Sequence, residues 1–154
     1  MQIVVIAVGK LKEKYWKEAQ AEYLKRLLSY ASLSMIEVAD EADDIDPSRI
    51  QQIEGLRILS KLKERDYVIA LDVRGDTYSS EQFADQLQSV FSHGHGRYVF
   101  LIGGSHGFST AVLERSQMKF SMSKLTFPHQ MARIILLEQI YRSFRISSGS
   151  PYHK

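Results

Sequence analysis

The chain has 154 residues, 44% hydrophobic and 25% charged, with a formal net charge of +2. Those values fit one globular domain spanning residues 1–154 and exclude disordered, collagen-like and low-complexity classes. No apolar run nears the ~20 residues a membrane helix needs. Ile3–Val8 has no basic residues before it and no small-residue cleavage site after it, so it is not read as a signal peptide. The chain has no cysteine, which removes disulfides, iron–sulfur clusters, Cys-based zinc sites and thiol nucleophiles. A cytoplasmic location is the expectation.

The elements follow in chain order. Ile3–Val8 is a continuous apolar, mostly β-branched run, the pattern of a strand buried on both faces of a parallel sheet. Glu13–Leu28 carries Tyr15, Ala19, Tyr23 and Leu27 at helical spacing, and Ser34–Ala39 reads as a second strand. Asp40–Asp46 is an acidic loop, with Asp46 as N-cap and Pro47 in the first turn of a helix through Ile50, Ile53, Leu56 and Leu59. Tyr67–Leu71 is a third strand ending at Asp72, and Arg74-Gly75-Asp76 reads as a turn. Ser79 and Ser80 cap a helix through Phe83, Leu87, Val90 and Phe91. Tyr98–Ile102 is a fourth strand leading into Gly103-Gly104-Ser105-His106-Gly107. A short helix (Thr110–Ser116), a fifth strand (Phe120–Met122), a loop (Ser123–Phe127) and a last helix from Pro128 to Ile146 complete the chain. Strands alternating with helices predict an α/β fold, a mainly parallel sheet of about five strands flanked by helices.

In open α/β sheets, ligands bind beyond the carboxyl ends of the strands. Three ends stand out: Leu71-Asp72, Gly103-Gly104 and Ser123–Phe127. Gly9 alone follows the first strand, so no G-x-G-x-x-G opens the fold, and no Walker A sequence occurs. Dinucleotide dehydrogenases and phosphate-hydrolysing enzymes are therefore disfavoured. No Gly-x-Ser-x-Gly elbow is present, and His93-Gly94-His95 reads as a turn rather than a metal site.

Charge is unevenly placed. From Arg115 to Lys154 seven Lys/Arg face one acid, Glu138, a net +6 that leaves −4 for the rest of the chain. That asymmetry points to a polyanionic partner on one side, or to a solvated helix face. On the last helix Met131, Ile134, Ile135, Leu137, Ile140, Tyr141 and Phe144 form an apolar surface broad enough for the sheet and a dimer partner, or for full burial within one chain. Arg142 is spaced to pair with Glu138. The tail ends in Pro151-Tyr152-His153-Lys154, aromatic, titratable and basic, which suits an RNA-facing site, with a frayed end as the alternative.

Residues 6–16, the run Leu101–Gly107, Ser123–Gln130 and the terminal Pro-Tyr-His-Lys together resemble the RlmH-type ribosomal RNA large-subunit methyltransferases of the SPOUT, or α/β-knot, superfamily. The resemblance covers the whole chain. It implies a homodimer with a C-terminal trefoil knot, an exception to unknotted topology. The implied reaction moves a methyl group from S-adenosylmethionine to N3 of a pseudouridine in 23S rRNA of the assembled ribosome. Leu71, Gly103, Met122, Ser123, Lys124, Leu125, Thr126 and Phe127 match its cofactor loops. Arg142 is expected to stabilise the anionic imide, His153 to take or relay its proton, and Tyr152 to stack on a base. A catalytically silent ribosome-binding module with the same fold is the alternative.

Overall fold

β-branched side chains favour extended backbone, and the opening run forms a strand, β1, at Gln2–Val8. The structure is a computed structural model that describes residues 1–151. After β1 come α1 (Lys14–Leu27), β2 (Ser32–Val38), α2 (Pro47–Leu59), β3 (Tyr67–Thr77) and α3 (Ser80–Ser92). Then follow β4 (Arg97–Ile102), α4 (Thr110–Arg115), β5 (Met118–Ser121) and α5 (His129–Ser147). The strands form a five-stranded sheet in the order β2-β1-β4-β3-β5, and every strand pairing in it is parallel. The predicted α/β class and sheet are the ones observed.

Alternation along the strands sorts the core into two layers. Ile3, Val5, Ala7, Tyr98, Phe100 and Ile102 face one side, where Leu27 of α1, Phe83 and Leu87 of α3 and Leu136, Leu137 and Ile140 of α5 cover them. Val4, Ile6, Val8, Val99 and Leu101 face the other, covered by Ile58 of α2, Val112 of α4 and Phe108. The sheet is therefore sandwiched, and β1, flanked by β2 and β4, is buried on both faces.

The predicted caps are formed. The Asp46 side chain accepts from the Arg49 N–H with Pro47 in the first turn, and Ser79 with Gln82 makes a full capping box. Three local readings need correction. The buried stripe of α2 is Ile50, Glu54 and Ile58, while Leu56 is 69% exposed; two candidate stripes overlap in the sequence, and sheet contact selects the other one. Tyr15, on the predicted apolar stripe of α1, is 63% exposed. The third strand does not stop at Asp72 but continues to Thr77, so Arg74-Gly75-Asp76 is not a simple turn between elements.

Candidate active site at the carboxyl ends of the sheet

That longer strand is interrupted. Leu71 and Asp76 both register against Phe120 of β5, so the intervening residues leave the ladder as an extended bulge. Gly75 is what lets the two backbones close again: a Cβ there would lie 2.6 Å from the Phe120 Cα and N atoms. The bulge carries Asp72, Val73 and Arg74 to the rim of a cavity of about 930 Å³. Its walls include Leu71, Gly103, Met122, Ser123, Leu125, Thr126 and Phe127. Seven of the eight residues matched to the cofactor loops thus meet in one place. Lys124 does not line the cavity and is exposed.

The volume is that of a small-molecule site, and apolar walls with backbone polar groups between them are the usual lining of one. S-adenosylmethionine has an aromatic base, a polar ribose and a charged methionine end. Leu71, Ile102, Leu125 and Phe127 offer an apolar slot, and the Gly103–Gly107 segment offers main-chain donors and acceptors. The residues present fit that group.

The glycine pair serves the loop's own seating. A Cβ on Gly103 would meet the Phe108 ring at 3.2 Å, and one on Gly104 would meet Glu54 Oε1 at 2.8 Å and Val8 at 3.2 Å. Glu54 is 3% exposed; its Oε2 accepts from the Glu41 N–H at 3.0 Å while Oε1 is buried without a partner. Burial, with Asp40 nearby, raises its pKa above the ordinary carboxylate value despite the Glu41 N–H, His106 and Arg57. Because the unfolded chain releases this proton first, Glu54 erodes stability as pH climbs from the unfolded to the folded pKa. The thermal midpoint of Glu54→Gln should therefore gain on the wild type as pH rises from about 4.5 and then hold a constant lead. Parallel midpoint curves across pH 4–8 would contradict this.

His129, at the start of α5, also lines the cavity, and its ring lies over Gly9 (φ 92°), where a Cβ would be 3.1 Å from Cε1. Its Nδ1 is buried without a partner. Burial, and then the charge of Arg133, lower its pKa, so the imidazole is neutral at pH 7. Arg133, one turn on, is 0% exposed; it donates to Glu37 at 2.6 Å and to the Gly9 carbonyl at 2.6 Å. Leu11 N–H donates to the same carboxylate at 2.9 Å. Burial pushes the Glu37 pKa up, but Arg133, the Leu11 N–H and Lys10 outweigh it and hold the carboxyl below its usual value. This brace ties the loop after β1 to the end of β2 and to the cavity wall. No local pattern marks Arg133 for this brace, and His129 is marked only by the motif Phe127-Pro128-His129-Gln130. For Glu54 the signal was present: a carboxylate midway between Ile50 and Ile58 on one helical stripe.

The C-terminal charge is also placed differently from its composition. Arg115 donates to the carbonyls of Lys63, Glu64 and Asp66, and Arg133 is in the interior. Arg142 holds Glu138 through Nε at 3.0 Å and through its NH2 nitrogen at 2.7 Å. Arg145 is beside the Tyr30 hydroxyl and over the Tyr141 ring. Arg142 follows Ala132, the last cavity residue of α5, by ten positions, about 15 Å along the axis. It is not brought to the cavity of its own chain. Tyr152 and His153 lie outside the described residues. Among the described residues no group of three or more metal-ligating side chains occurs, and no helix is long and apolar enough to cross a membrane.

The family model described as "Predicted SPOUT methyltransferase" matches residues 1–153. The chain is 50% identical to Ribosomal RNA large subunit methyltransferase H of Bacillus cytotoxicus and 49% identical to those of Lactobacillus helveticus and Carboxydothermus hydrogenoformans. Each match covers the whole of both chains. With its parallel sheet, and a cavity gathering the three strand-end loops, the chain belongs to the SPOUT methyltransferase family, in its RlmH branch.

Proposed function

We propose that this protein uses S-adenosylmethionine to methylate N3 of a pseudouridine in 23S rRNA of the assembled ribosome, acting in the cytoplasm as a knotted homodimer. The observation that carries the reading is the cavity that unites Leu71, Gly103 and the loop at residues 122–127. Whole-length similarity to relatives named Ribosomal RNA large subunit methyltransferase H supports the substrate class.

The cofactor supplies an electrophilic methyl group on sulfur, and the protein must align it with the nucleophilic nitrogen. The N3 imide of pseudouridine is protonated at neutral pH, so attack requires that proton to leave. Arg142 stabilises the resulting anion and His153 takes or relays the proton, with Tyr152 stacked on a neighbouring base. The distance between Arg142 and its own cavity favours delivery to the partner's cavity across a two-fold axis. Met131 (38% exposed) and the half-buried Ile134, Ile135 and Tyr141 give α5 an apolar face for that contact.

The test has three readouts. Light scattering at micromolar concentration should give the mass of a dimer. Calorimetry should detect S-adenosylmethionine binding, lost in Gly103→Val because the branched side chain would displace the Phe108 ring and the loop above it. Mass spectrometry should find a methylated pseudouridine in treated ribosomes, with His153→Ala slowing transfer across pH 6–9. Cofactor binding without any methylation would identify a silent module instead. An unchanged rate in His153→Ala would remove that residue from the chemistry.

A further inference from the structure

Exposed positive charge also clusters near the start of the chain, outside the C-terminal quarter in sequence. Residues 10–17 hold Lys10, Lys12, Lys14 and Lys17 against Glu13 alone, a net +3. All four lysines are exposed. Among the described residues Lys14 makes the one ion pair of this group, a 3.5 Å contact with Glu18 in which the lysine side chain is 89% exposed. Such a pair yields readily to a stronger anion. The C-terminal arginines, by contrast, hold carbonyls, carboxylates and rings of their own chain.

The segment starts at the wall of the cavity. Gly9 lies beneath His129, and its carbonyl is gripped by Arg133 at 2.6 Å while its N–H donates to the Val38 carbonyl at 2.9 Å. Leu11 is buried and tied to Glu37. The lysines therefore project from an anchored loop and the first turns of α1, at a set distance from the reaction site. Among them stands Tyr15, 63% exposed, with its ring 5.3 Å from that of Trp16 and inclined at 57°.

We propose that residues 10–17 are a docking surface for the RNA substrate, the lysines meeting phosphates and Tyr15 stacking on an unpaired base. The inference rests on the rRNA-methyltransferase reading above. Charge complementarity selects the occupant: a second copy of this chain set symmetrically here would oppose lysines to lysines, whereas RNA phosphates release counterions on meeting them. An aromatic ring among cations is the combination that holds single-stranded nucleic acid.

The experiment measures binding of the full chain to purified ribosomes over a range of salt concentrations. Lys12→Ala/Lys14→Ala/Lys17→Ala should reduce the slope of log affinity against log salt by about 2, at ~0.7–0.9 per lost phosphate contact. Lys10 is kept because its charge helps hold Glu37. Tyr15→Ala should weaken binding about tenfold and Tyr15→Trp should restore it, as stacking requires. S-adenosylmethionine affinity, thermal midpoint and dimer mass should stay at wild-type values. A wild-type salt slope in the triple variant, or a changed mass in Tyr15→Ala, overturns the surface while leaving the enzyme reading intact. A wild-type protein that binds the cofactor but no ribosome overturns the substrate reading, and this inference with it.

Discussion

Arg133→Met should lower the thermal midpoint by roughly 6–12 °C, taking ~3 kcal/mol for a broken buried pair and ~2–4 °C per kcal/mol at this chain length. The guanidinium is 0% exposed and bridges Glu37 to the Gly9 carbonyl. Methionine fills much of its volume but leaves both acceptors without their donor. The figure is taken from the low end of the range for buried pairs because the Glu37 side chain is 36% exposed and water can partly replace the lost contact. Two controls separate the ion pair from simple packing. Arg133→Met/Glu37→Gln should recover part of the loss, since the orphaned charge is gone. The gap between wild type and Arg133→Met should also narrow in acid. A carboxyl with a lowered folded pKa contributes stability above its unfolded pKa and loses it as pH falls through the folded one. A midpoint within 2 °C of wild type by calorimetry, at a scale of ~2–4 °C per kcal/mol, would mean the brace contributes little.

Gly75→Ala should be the second severe substitution, costing about 3 kcal/mol by overpacking against backbone that cannot turn aside. The added Cβ meets Phe120 Cα and N at 2.6 Å, so β3 and β5 must part where the ladder resumes after the bulge. The consequence reaches the cavity, because β5 runs directly into the loop at residues 122–127. Cofactor affinity should therefore fall even at temperatures where the variant is folded. Gly96→Ala is the matched control, with no atom within 4 Å of its added Cβ. Equal midpoints for the two variants would refute the close approach.

Much of this molecule is local enough to read along the chain. The run Ile3–Val8 is apolar at every position, which only a strand covered on both faces tolerates, and β1 has neighbours on both edges and helices on both faces. Asp46-Pro47 and Ser79 with Gln82 announce helix starts because capping needs only residues within one turn. The loops of the candidate site were legible for a related reason: parallel topology puts every carboxyl end on one side, so Leu71, Gly103 and Ser123–Phe127 had to fall near one another.

Misreadings arose where an answer depended on what lies across space. Ile50-Ile53-Leu56 and Ile50-Glu54-Ile58 are both acceptable helical stripes, and contact with the sheet chose the one containing a carboxylate. Arg74-Gly75-Asp76 has turn composition, yet Phe120 of β5 draws the chain back into a ladder. Seven basic residues against one acid look like an open cationic surface, until Arg133 is seen to reach Glu37, 96 positions away. Periodicity, capping and hydropathy are properties of neighbouring residues, so the sequence by itself determined the order of elements, the strand buried on both faces and the end of the sheet that carries the candidate site. Which charges are neutralised inside, which glycine admits another backbone and which lysines remain for a polyanion were decided only by the tertiary structure. Coulombic and steric terms act over a few ångströms, and only the folded chain brings such distant residues that close.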